Sequence, residues 1–440
     1  MNTATLDSNV TASADTQTAL RSITCGSVDD GKSTLIGRLL VDSKTVLLDQ
    51  LAGVQRGGET DLALLTDGLS AEREQGITID VAYRYFATAN RKFIIGDAPG
   101  HEQYTRNMVT AASSADAAVV LVDATKLVWA TGASDAVSRD LLAQTRRHTL
   151  LVNLLRVPGI VFAVNKLDAV TDAAGAFERI SAALSSFASA AGVRVTAIVP
   201  ISALKGWNVV DRAETHNPGW CGYKGPSLLE ILENLPVTGA ETTKPFAFPV
   251  QWVEKFSSSA DTSQGRRVFW GRVASGGVHP GQSVTVLPSG QTARVAQVLD
   301  HARQPKTVLA GHSAGIVLDR EVDVSRGDWL LATDTFEPTR EISATVAWMD
   351  DEPLVAGRVY WALHGHRWIK AKVKRIVHRL DINTLAEEPA TQLEPNAIGH
   401  IELALQEAVA TLPYAEARIL GSMVLVDTAS HKTSGAVLIR

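Results

Sequence analysis

The first half of the chain has a different pattern of hydrophobic and polar positions from the second half. Between Leu20 and about Leu235, short apolar runs alternate with longer segments of helical period. Such alternation is typical of a mostly parallel sheet with helices on both faces. The predicted strands are Leu20–Cys25, Tyr83–Ala87, Lys92–Gly96, Ala117–Val122, Ile160–Val164 and Val195–Ile201, and the predicted helices are Lys32–Leu40, Gln144–Arg156, Ala174–Ala191 and Pro226–Leu235.

The pattern changes after a linker that contains several prolines, Pro236–Pro249. Short β-rich runs are then separated by turn signals such as Gly276-Gly277 and Pro288-Ser289-Gly290. Regular short strands of this kind predict closed or sandwiched β structure, and a break near Thr335–Glu341 divides it into two domains. We therefore predict an α/β domain followed by two β-barrel domains, with a mobile tail at 1–19, the α/β domain at 20–240, and barrels at 241–337 and 338–440.

Composition narrows the class of protein. With 45% hydrophobic and 20% charged residues in 440, the chain fits a soluble globular protein of several domains. Its net charge of −5 argues against a non-specific nucleic-acid binder. The longest apolar stretches are interrupted by Asp116, Asp123 and Arg194, so no membrane span is predicted. Two cysteines and the lack of a secretory signal pattern favour the cytoplasm.

A glycine-rich segment, Gly26–Ser33, follows the first predicted strand and opens the first predicted helix. It matches the pattern G-x-x-x-x-G-K-[ST] in the context that this motif requires. Backbone N–H groups of such a loop, together with the helix N-terminus, bind phosphate oxygens. We predict that Lys32 reaches the β- and γ-phosphates of a nucleotide and that the Ser33 hydroxyl binds Mg²⁺. An accidental glycine-rich turn is the alternative, and the strand–loop–helix context disfavours it.

Two further segments indicate a site that senses the γ-phosphate. Asp97-Ala98-Pro99-Gly100 follows an apolar strand, and a carboxylate at the end of such a strand lies beside the phosphate loop. We predict that Asp97 holds Mg²⁺ through water and that the Gly100 N–H meets the γ-phosphate. Thr78 is predicted to complete the Mg²⁺ shell only when the triphosphate is bound. Alone, these segments would be interpreted as an ordinary turn and an ordinary strand threonine.

The choice of base is predicted from Asn165-Lys166-Leu167-Asp168, which again follows an apolar strand. Asp168 can accept hydrogen bonds from guanine N1–H and from the exocyclic amine. Adenine offers neither donor and would leave the carboxylate unpaired, so the segment predicts GTP rather than ATP. Ser202-Ala203-Leu204 is predicted to present backbone N–H groups to guanine O6, a weak signal that depends on its order in the chain.

These motifs, in this order, resemble those of translation-factor-type GTPases such as elongation factor Tu. The longer strings at 26–40, 71–86 and 99–108 closely resemble the GTPase subunit of bacterial sulfate adenylyltransferase. The resemblance covers about residues 20–440, including Gln144-Thr145-Arg146-Arg147-His148. It implies GTP and Mg²⁺ as cofactors, with nucleotide-binding residues Gly26, Ser27, Val28, Asp29, Asp30, Gly31, Lys32, Ser33, Thr34, Asp97, Gly100, Asn165, Lys166, Asp168, Ser202, Ala203 and Leu204, and metal-binding residues Ser33, Thr78 and Asp97.

The resemblance also implies an activity and a partner. In that family a smaller ATP-sulfurylase subunit joins ATP and sulfate into adenylyl sulfate and diphosphate, and GTP hydrolysis on the larger subunit drives this reaction. Lys32 and His101 would be the catalytic residues, with His101 orienting the attacking water. Without the resemblance, His101 could equally be an exposed loop histidine.

Three alternatives and two further features accompany this interpretation. An elongation-factor-like GTPase that binds aminoacyl-tRNA is disfavoured by the acidic total and by Asp30, where elongation factors usually carry histidine. A non-catalytic GTP-held scaffold stays open, whereas a fused adenylyl sulfate kinase lacks a second phosphate loop. The insert Leu127–Ala143 is predicted to lengthen the following helix partly toward its N-terminus, as a solvent-facing extension; the alternative is a modified docking surface for the partner or an effect on switch movement. The basic run Arg367–Arg379 is interpreted as a solvated strand face rather than as a contact with RNA or with an acidic partner surface.

Overall fold

The computed structural model describes residues 19–44, 55–56, 59–60, 62–65, 78–127, 141–255 and 267–440. The chain divides into two compact units, of which the first ends at Thr238 and the second runs from Gly239 to Arg440. The predicted tail lies outside the described residues, apart from Ala19. Within the described ranges, no helix is both long enough and apolar enough to span a bilayer.

A six-stranded sheet forms the centre of the first unit. The strands of this unit are β1 (Leu20–Gly26), β2 (Gln55–Arg56), β3 (Glu59–Thr60), β4 (Ala82–Ala87), β5 (Lys92–Asp97), β6 (Ala117–Asp123), β7 (Gly159–Asn165) and β8 (Ala197–Pro200), and its helices are α1 (Lys32–Asp42), α2 (Thr105–Ala112), α3 (Ala143–Leu154), α4 (Ala173–Ala190), α5 (Ala213–His216) and α6 (Leu228–Asn234). The spatial order is β4-β5-β1-β6-β7-β8. Only the edge strand β4 pairs antiparallel with its neighbour, and the other pairs in this sheet are parallel.

Helices cover both faces of this sheet. Every residue of β6 and of β7 is buried, as expected for parallel strands with helices on either side. Helices α1 and α6 share one hydrophobic cluster with alternate strand residues such as Val119 and Val161. Helices α2 and α3 contact β1 and each other but do not join that cluster, so they lie on the opposite face. The predicted α/β arrangement is confirmed.

The start of α6 and the contribution of the insert to α3 differ from the predictions. Helix α6 begins at Leu228 rather than Pro226, because the Ser227 hydroxyl accepts from the Glu230 N–H and the Glu230 carboxylate accepts from the Ser227 N–H. This reciprocal capping box fixes the first turn. Helix α3 begins at Ala143, and Leu142 before it has an extended backbone (φ −59°, ψ 142°). The insert therefore does not lengthen α3 through Leu142, and its residues 128–140 lie outside the described ranges.

The second unit contains two closed barrels. Its strands are β9 (Ala247–Lys255), β10 (Arg267–Arg272), β11 (Gly277–Val278), β12 (Ser283–Leu287), β13 (Thr292–Leu299), β14 (Val308–Leu309), β15 (Ser313–Leu318), β16 (Trp329–Ala332), β17 (Thr339–Trp348), β18 (Leu354–Val355), β19 (Val359–His364), β20 (Arg367–Leu380), β21 (Glu387–Glu388), β22 (Gln392–Leu393), β23 (Ile398–Val409), β24 (Ser422–Asp427) and β25 (Thr433–Ile439). Strands β10-β15-β13-β12-β16-β9 close the first barrel. The order β19-β24-β25-β17-β23-β20 closes the second through pairing of β19 with β20. The two predicted β-barrels are confirmed.

The basic run lies on β20 of the second barrel. Lys370, Lys372 and Lys374 are exposed, whereas the alternate residues Ile369 and Val373 are buried in the barrel core. Lys374 forms an ion pair with Glu341 on β17, with 2.8 Å between Nζ and Oε1. This alternation agrees with the interpretation of a solvated barrel face.

Candidate nucleotide-binding site

The motif segments converge at the carboxyl edge of the sheet in the first unit. They enclose a cavity of about 340 Å³. Residues 28, 29 and 31–34 form one wall, and Thr78, Gly100, His101 and Lys166 contribute from three other segments. Parallel strands end at the same edge of a sheet, so loops that are far apart in the sequence meet there. The first part of the string at 71–86, residues 71–77, lies outside the described residues.

The glycine-rich loop curls through residues of positive φ. Gly26, Asp29 and Gly31 have φ values of 140°, 60° and 94°. A Cβ atom on Gly31 would lie 2.5 Å from Nδ2 of Asn165, so the close approach of these two segments requires glycine. Lys32 is buried, and its Nζ donates to the Ser27 carbonyl at 2.7 Å. Burial lowers the pKa of Lys32, while the carboxylates of Asp97 and Asp30 oppose that shift.

Asp30 shapes the loop from inside the protein. Its side chain is fully buried, and Oδ2 accepts from the Ser27 N–H at 2.7 Å. The Nζ of Lys126 lies 3.2 Å from Oδ1 and also donates to the Val28 carbonyl. Burial raises the pKa of Asp30 although Lys32 and Lys126 oppose the rise. The carboxylate of Asp30 therefore stabilises the conformation of the loop. The nucleotide contact that the sequence predicts for Asp30 would have to come from its backbone.

Ser33 and Asp97 provide a pair of adjacent oxygen donors. The Ser33 hydroxyl donates to Oδ2 of Asp97 at 2.6 Å, and the Thr24 hydroxyl donates to Oδ1 at 3.1 Å. Thr78 lines the same cavity. Hydroxyl and carboxylate oxygens are the protein donors that Mg²⁺ prefers, and few of them suffice when phosphates and waters complete the shell. Among the described residues no group of three or more His, Cys, Asp or Glu side chains could hold a metal ion, and the residues present fit Mg²⁺.

Asn165 and Lys166 connect the loops on the other side of the cavity. Asn165 donates from Nδ2 to the Asp30 carbonyl at 2.8 Å and accepts from the Ala203 N–H at 3.0 Å. Lys166 donates to the Asp29 carbonyl at 2.6 Å and to Oδ2 of Asp123 at 2.7 Å. Burial alone would raise the pKa of Asp123, but the bonds from Lys166 and Thr125 outweigh it and lower the pKa.

The remaining residues predicted on this side lie close to Asn165 in the fold. Asp168 is half-buried in the short 3-10 helix Leu167–Ala169, directly after Lys166. Ser202 and Ala203 are buried in the loop after β8, and Leu204 is 62% exposed. The segments that carry Asn165, Asp168 and Ala203 are therefore brought together as the motif order predicts.

The segment that contains Gly100 and His101 is bonded to residues of α3. His101 precedes the short 3-10 helix Glu102–Tyr104, is half-buried, and has an Nε2 atom without a hydrogen-bond partner in the described part of the chain. It lines the cavity and is therefore not an exposed loop histidine. Gln144 donates to the Gly100 carbonyl at 3.0 Å, and Arg147 bonds Glu102 at 2.7 Å. This geometry fixes the segment that would sense a γ-phosphate.

Comparisons with known proteins show the family of the chain. Residues 17–237 match the family model of the elongation factor Tu GTP binding domain, and residues 341–440 match the GTP-eEF1A C-terminal domain-like model. Sulfate adenylyltransferase subunit 1 of Laribacter hongkongensis is 41% identical over 97% of this chain and 86% of its own length. The subunit 1 of Tolumonas auensis is 44% identical, over 96% of this chain and 86% of its own. The chain belongs to the sulfate adenylyltransferase subunit 1 family.

Other relatives are longer or more distant. A bifunctional enzyme CysN/CysC of Xylella fastidiosa is 46% identical over 95% of this chain, which spans 65% of that protein. Among solved structures, Sup35 with GDP is 22% identical with a TM-score of 0.41, over 99% of this chain and 96% of that chain.

Sequence reasoning missed several residues that support the site in this family member. Asp123 ends the buried strand β6 as Asp97 ends β5, so its position at the carboxyl edge was a usable signal. Thr24, Gln144 and Lys126 had no comparable signal. Lys126 contacts Asp30 across 96 positions of sequence, and only the fold places the two side chains together.

Proposed function

We propose that this chain is the GTP-hydrolysing subunit of a sulfate adenylyltransferase, in which a smaller ATP-sulfurylase subunit joins ATP and sulfate into adenylyl sulfate and diphosphate. The observation that carries the proposal is the identity of 41–44% with subunit 1 proteins over 96–97% of the chain. The cavity supports it, because the nucleotide motifs of four separate segments meet there. Two buried free cysteines agree with a reducing cytoplasm.

The phosphates of GTP would bind along the curled loop. Its backbone N–H groups and the N-terminus of α1 favour negative charge, and Lys32 would exchange its bond to the Ser27 carbonyl for phosphate oxygens. Ser33 and Thr78 would contribute hydroxyl oxygens to a Mg²⁺ ion, and Asp97 would hold it through water. The bound ion supplies charge stabilisation at the β- and γ-phosphates.

Hydrolysis would depend on positioning. His101 lines the cavity, and its buried Nε2 atom has no hydrogen-bond partner in the described residues. In the GTP state the ring would turn so that this atom faces the water that attacks the γ-phosphate. Gln144 fixes the Gly100 carbonyl beside it, which leaves the Gly100 N–H to meet the γ-phosphate. No covalent intermediate is needed, and the product of this step is GDP with inorganic phosphate.

Asp168 would select guanine by accepting from N1–H and from the exocyclic amine. The N–H groups of Ser202, Ala203 and Leu204 would face guanine O6. The bond from the Ala203 N–H to Asn165 holds this loop in place. An adenine base would leave the Asp168 carboxylate without donors, which is the basis of discrimination.

GTP binding and partner binding must be linked if hydrolysis drives adenylyl sulfate formation. A partner that binds the GTP state more tightly also tightens GTP binding by the same factor. The elongation-factor alternative receives less support, because the named relatives of nearly full coverage are sulfate adenylyltransferase subunits.

The test is to purify this chain in complex with the smaller subunit and to measure adenylyl sulfate formed from ATP and sulfate. GTP should stimulate the reaction, and GDP or a non-hydrolysable GTP analogue should not sustain it. A complex carrying His101→Ala serves as the matched control, because it should bind GTP without stimulation. Equal adenylyl sulfate formation with and without GTP would refute the proposal.

A further inference from the structure

A histidine that the motifs do not use lies beneath the phosphate loop. His148, on α3, has zero exposed surface, and its Nδ1 atom is 3.0 Å from the backbone nitrogen of Gly26, the first residue of the loop. The Gly26 N–H donates this bond. The two residues are separated by 122 positions of sequence, so the contact exists only because α3 packs against the end of β1.

The Gly26 amide needs an acceptor at this point. Gly26 is buried at the end of β1, and a Cβ atom on it would lie 2.6 Å from the Leu121 carbonyl of the neighbouring strand. With φ at 140°, its backbone turns out of the strand direction and into the loop. A buried N–H without a partner carries the full cost of lost hydration. The His148 ring supplies the acceptor.

The ring must be neutral to accept this bond. Burial and the nearby cations Lys32 and Arg147 lower the pKa of His148 to about 3. The bond from the Gly26 N–H favours the same neutral form, because a protonated Nδ1 could not accept it. At neutral pH the imidazole therefore carries one proton. Since Nδ1 accepts, that proton lies on Nε2, which is buried and has no partner among the described residues.

The same helix also holds the second phosphate-sensing segment. Gln144 lies one turn before His148 and donates to the Gly100 carbonyl at 3.0 Å. Residues at this spacing share one face of a helix. The face of α3 that carries both residues thus contacts the backbone at Gly26, where the loop begins, and at Gly100, where the γ-phosphate would be sensed.

We infer that His148 is a positioning residue for phosphate binding, whose neutral imidazole fixes the Gly26 amide and thereby the shape of the phosphate loop. The inference rests on the proposed nucleotide site. Gly26 begins the part of the loop that encloses the phosphates GDP and GTP share. Loss of the bond should therefore weaken both nucleotides equally, raise the KM for GTP and leave kcat unchanged.

A matched pair of variants distinguishes loss of the hydrogen-bond acceptor at position 148 from loss of side-chain volume. Leu and Asn have nearly the same shape, but Asn carries an oxygen where His148 carries Nδ1. In the full chain, His148→Leu should weaken GDP and GTP about tenfold each, whereas His148→Asn should retain most of the wild-type affinity. His364→Leu is the control, since His364 is also fully buried but lies in the second unit with its Nε2 3.2 Å from the Leu420 carbonyl.

The outcomes distinguish the inference from the proposed function. A wild type that binds no GDP overturns the nucleotide site itself. A wild type that binds GDP, with His148→Leu and His148→Asn equal in nucleotide affinity, overturns the role of His148. Should His148→Leu fail to fold, ¹⁵N-histidine spectra of the wild type decide the matter, with the signal assigned through His148→Asn. An unprotonated Nδ1 supports the inference, and a protonated Nδ1 overturns it.

Discussion

The ion pair of Lys126 with Asp30 gives the sharpest prediction about the loop. Replacement of Lys126 by methionine removes the ion-pair partner of a fully buried carboxylate, which keeps only the longer-range attraction of Lys32. Removing one partner of a buried pair costs about 3–5 kcal/mol. The Lys126 side chain is 32% exposed, so water screens part of the attraction and we expect a loss of about 2 kcal/mol. For a unit of this size that loss lowers the melting temperature by ~6 °C.

Calorimetry of the full chain measures this loss, with the transition of the first unit identified by its upward shift with GDP. Adding Asp30→Asn to Lys126→Met should recover most of the stability, because an amide oxygen still accepts from the Ser27 N–H and needs no cation. Lys374→Met is the matched control, since Lys374 also pairs with a carboxylate but at the surface, and its melting temperature should not change. An unaffected Lys126→Met variant, or additive losses in the double variant, would refute the reasoning.

The same pair predicts a pH dependence. Burial raises the pKa of Asp30, so the folded state favours the protonated carboxyl. Stability from that preference is present at low pH and is lost as pH rises through the raised pKa. Since Lys126 lowers the pKa of Asp30, the carboxyl of the Lys126→Met variant becomes protonated at a higher pH than that of the wild type. The stability deficit of the variant relative to wild type should therefore shrink as the pH is lowered. Melting temperatures measured from neutral to acidic pH check this, and a deficit that grows on acidification would contradict it.

Three other substitutions test the proposed roles at the cavity. Asp168→Asn should exchange guanine for xanthine preference in competition binding, and unchanged GTP affinity would refute the role of Asp168. Lys32→Ala should abolish nucleotide binding, and normal binding would remove the phosphate-loop interpretation. Lys205→Ala is the control, because Lys205 is an exposed lysine of the same unit. His101→Ala should lower the rate of GTP hydrolysis by about 100-fold at unchanged GTP affinity, and an unaffected rate would favour the non-catalytic scaffold.

The parallel sheet could be predicted because its strands are buried on both faces and appear as continuous apolar runs. The same runs located Asp97 and Asn165, which are the last residues of strands that end at one edge of the sheet. The start of α6 could have been predicted from Ser227 and Glu230, since the capping box is a local signal that was overlooked in favour of the proline.

The support beneath the loop could not be predicted in this way. Lys126 and His148 contact residues that are 96 and 122 positions away. Neither contact leaves a local pattern, because it depends on how α3 and the end of β6 pack around β1. The orientation of the Asp30 side chain could not be predicted either. The motif places Asp30 among the nucleotide-binding residues, whereas in the structure its side chain is buried inside the protein.

Calorimetric titration of the full chain with nucleotides and Mg²⁺ tests the central claim most directly. The account predicts that GDP and GTP bind at one site and that ADP and ATP bind at least about 1,000-fold more weakly, because the adenine base cannot satisfy Asp168. Equal affinity for guanine and adenine nucleotides, or no binding of either, would contradict the account.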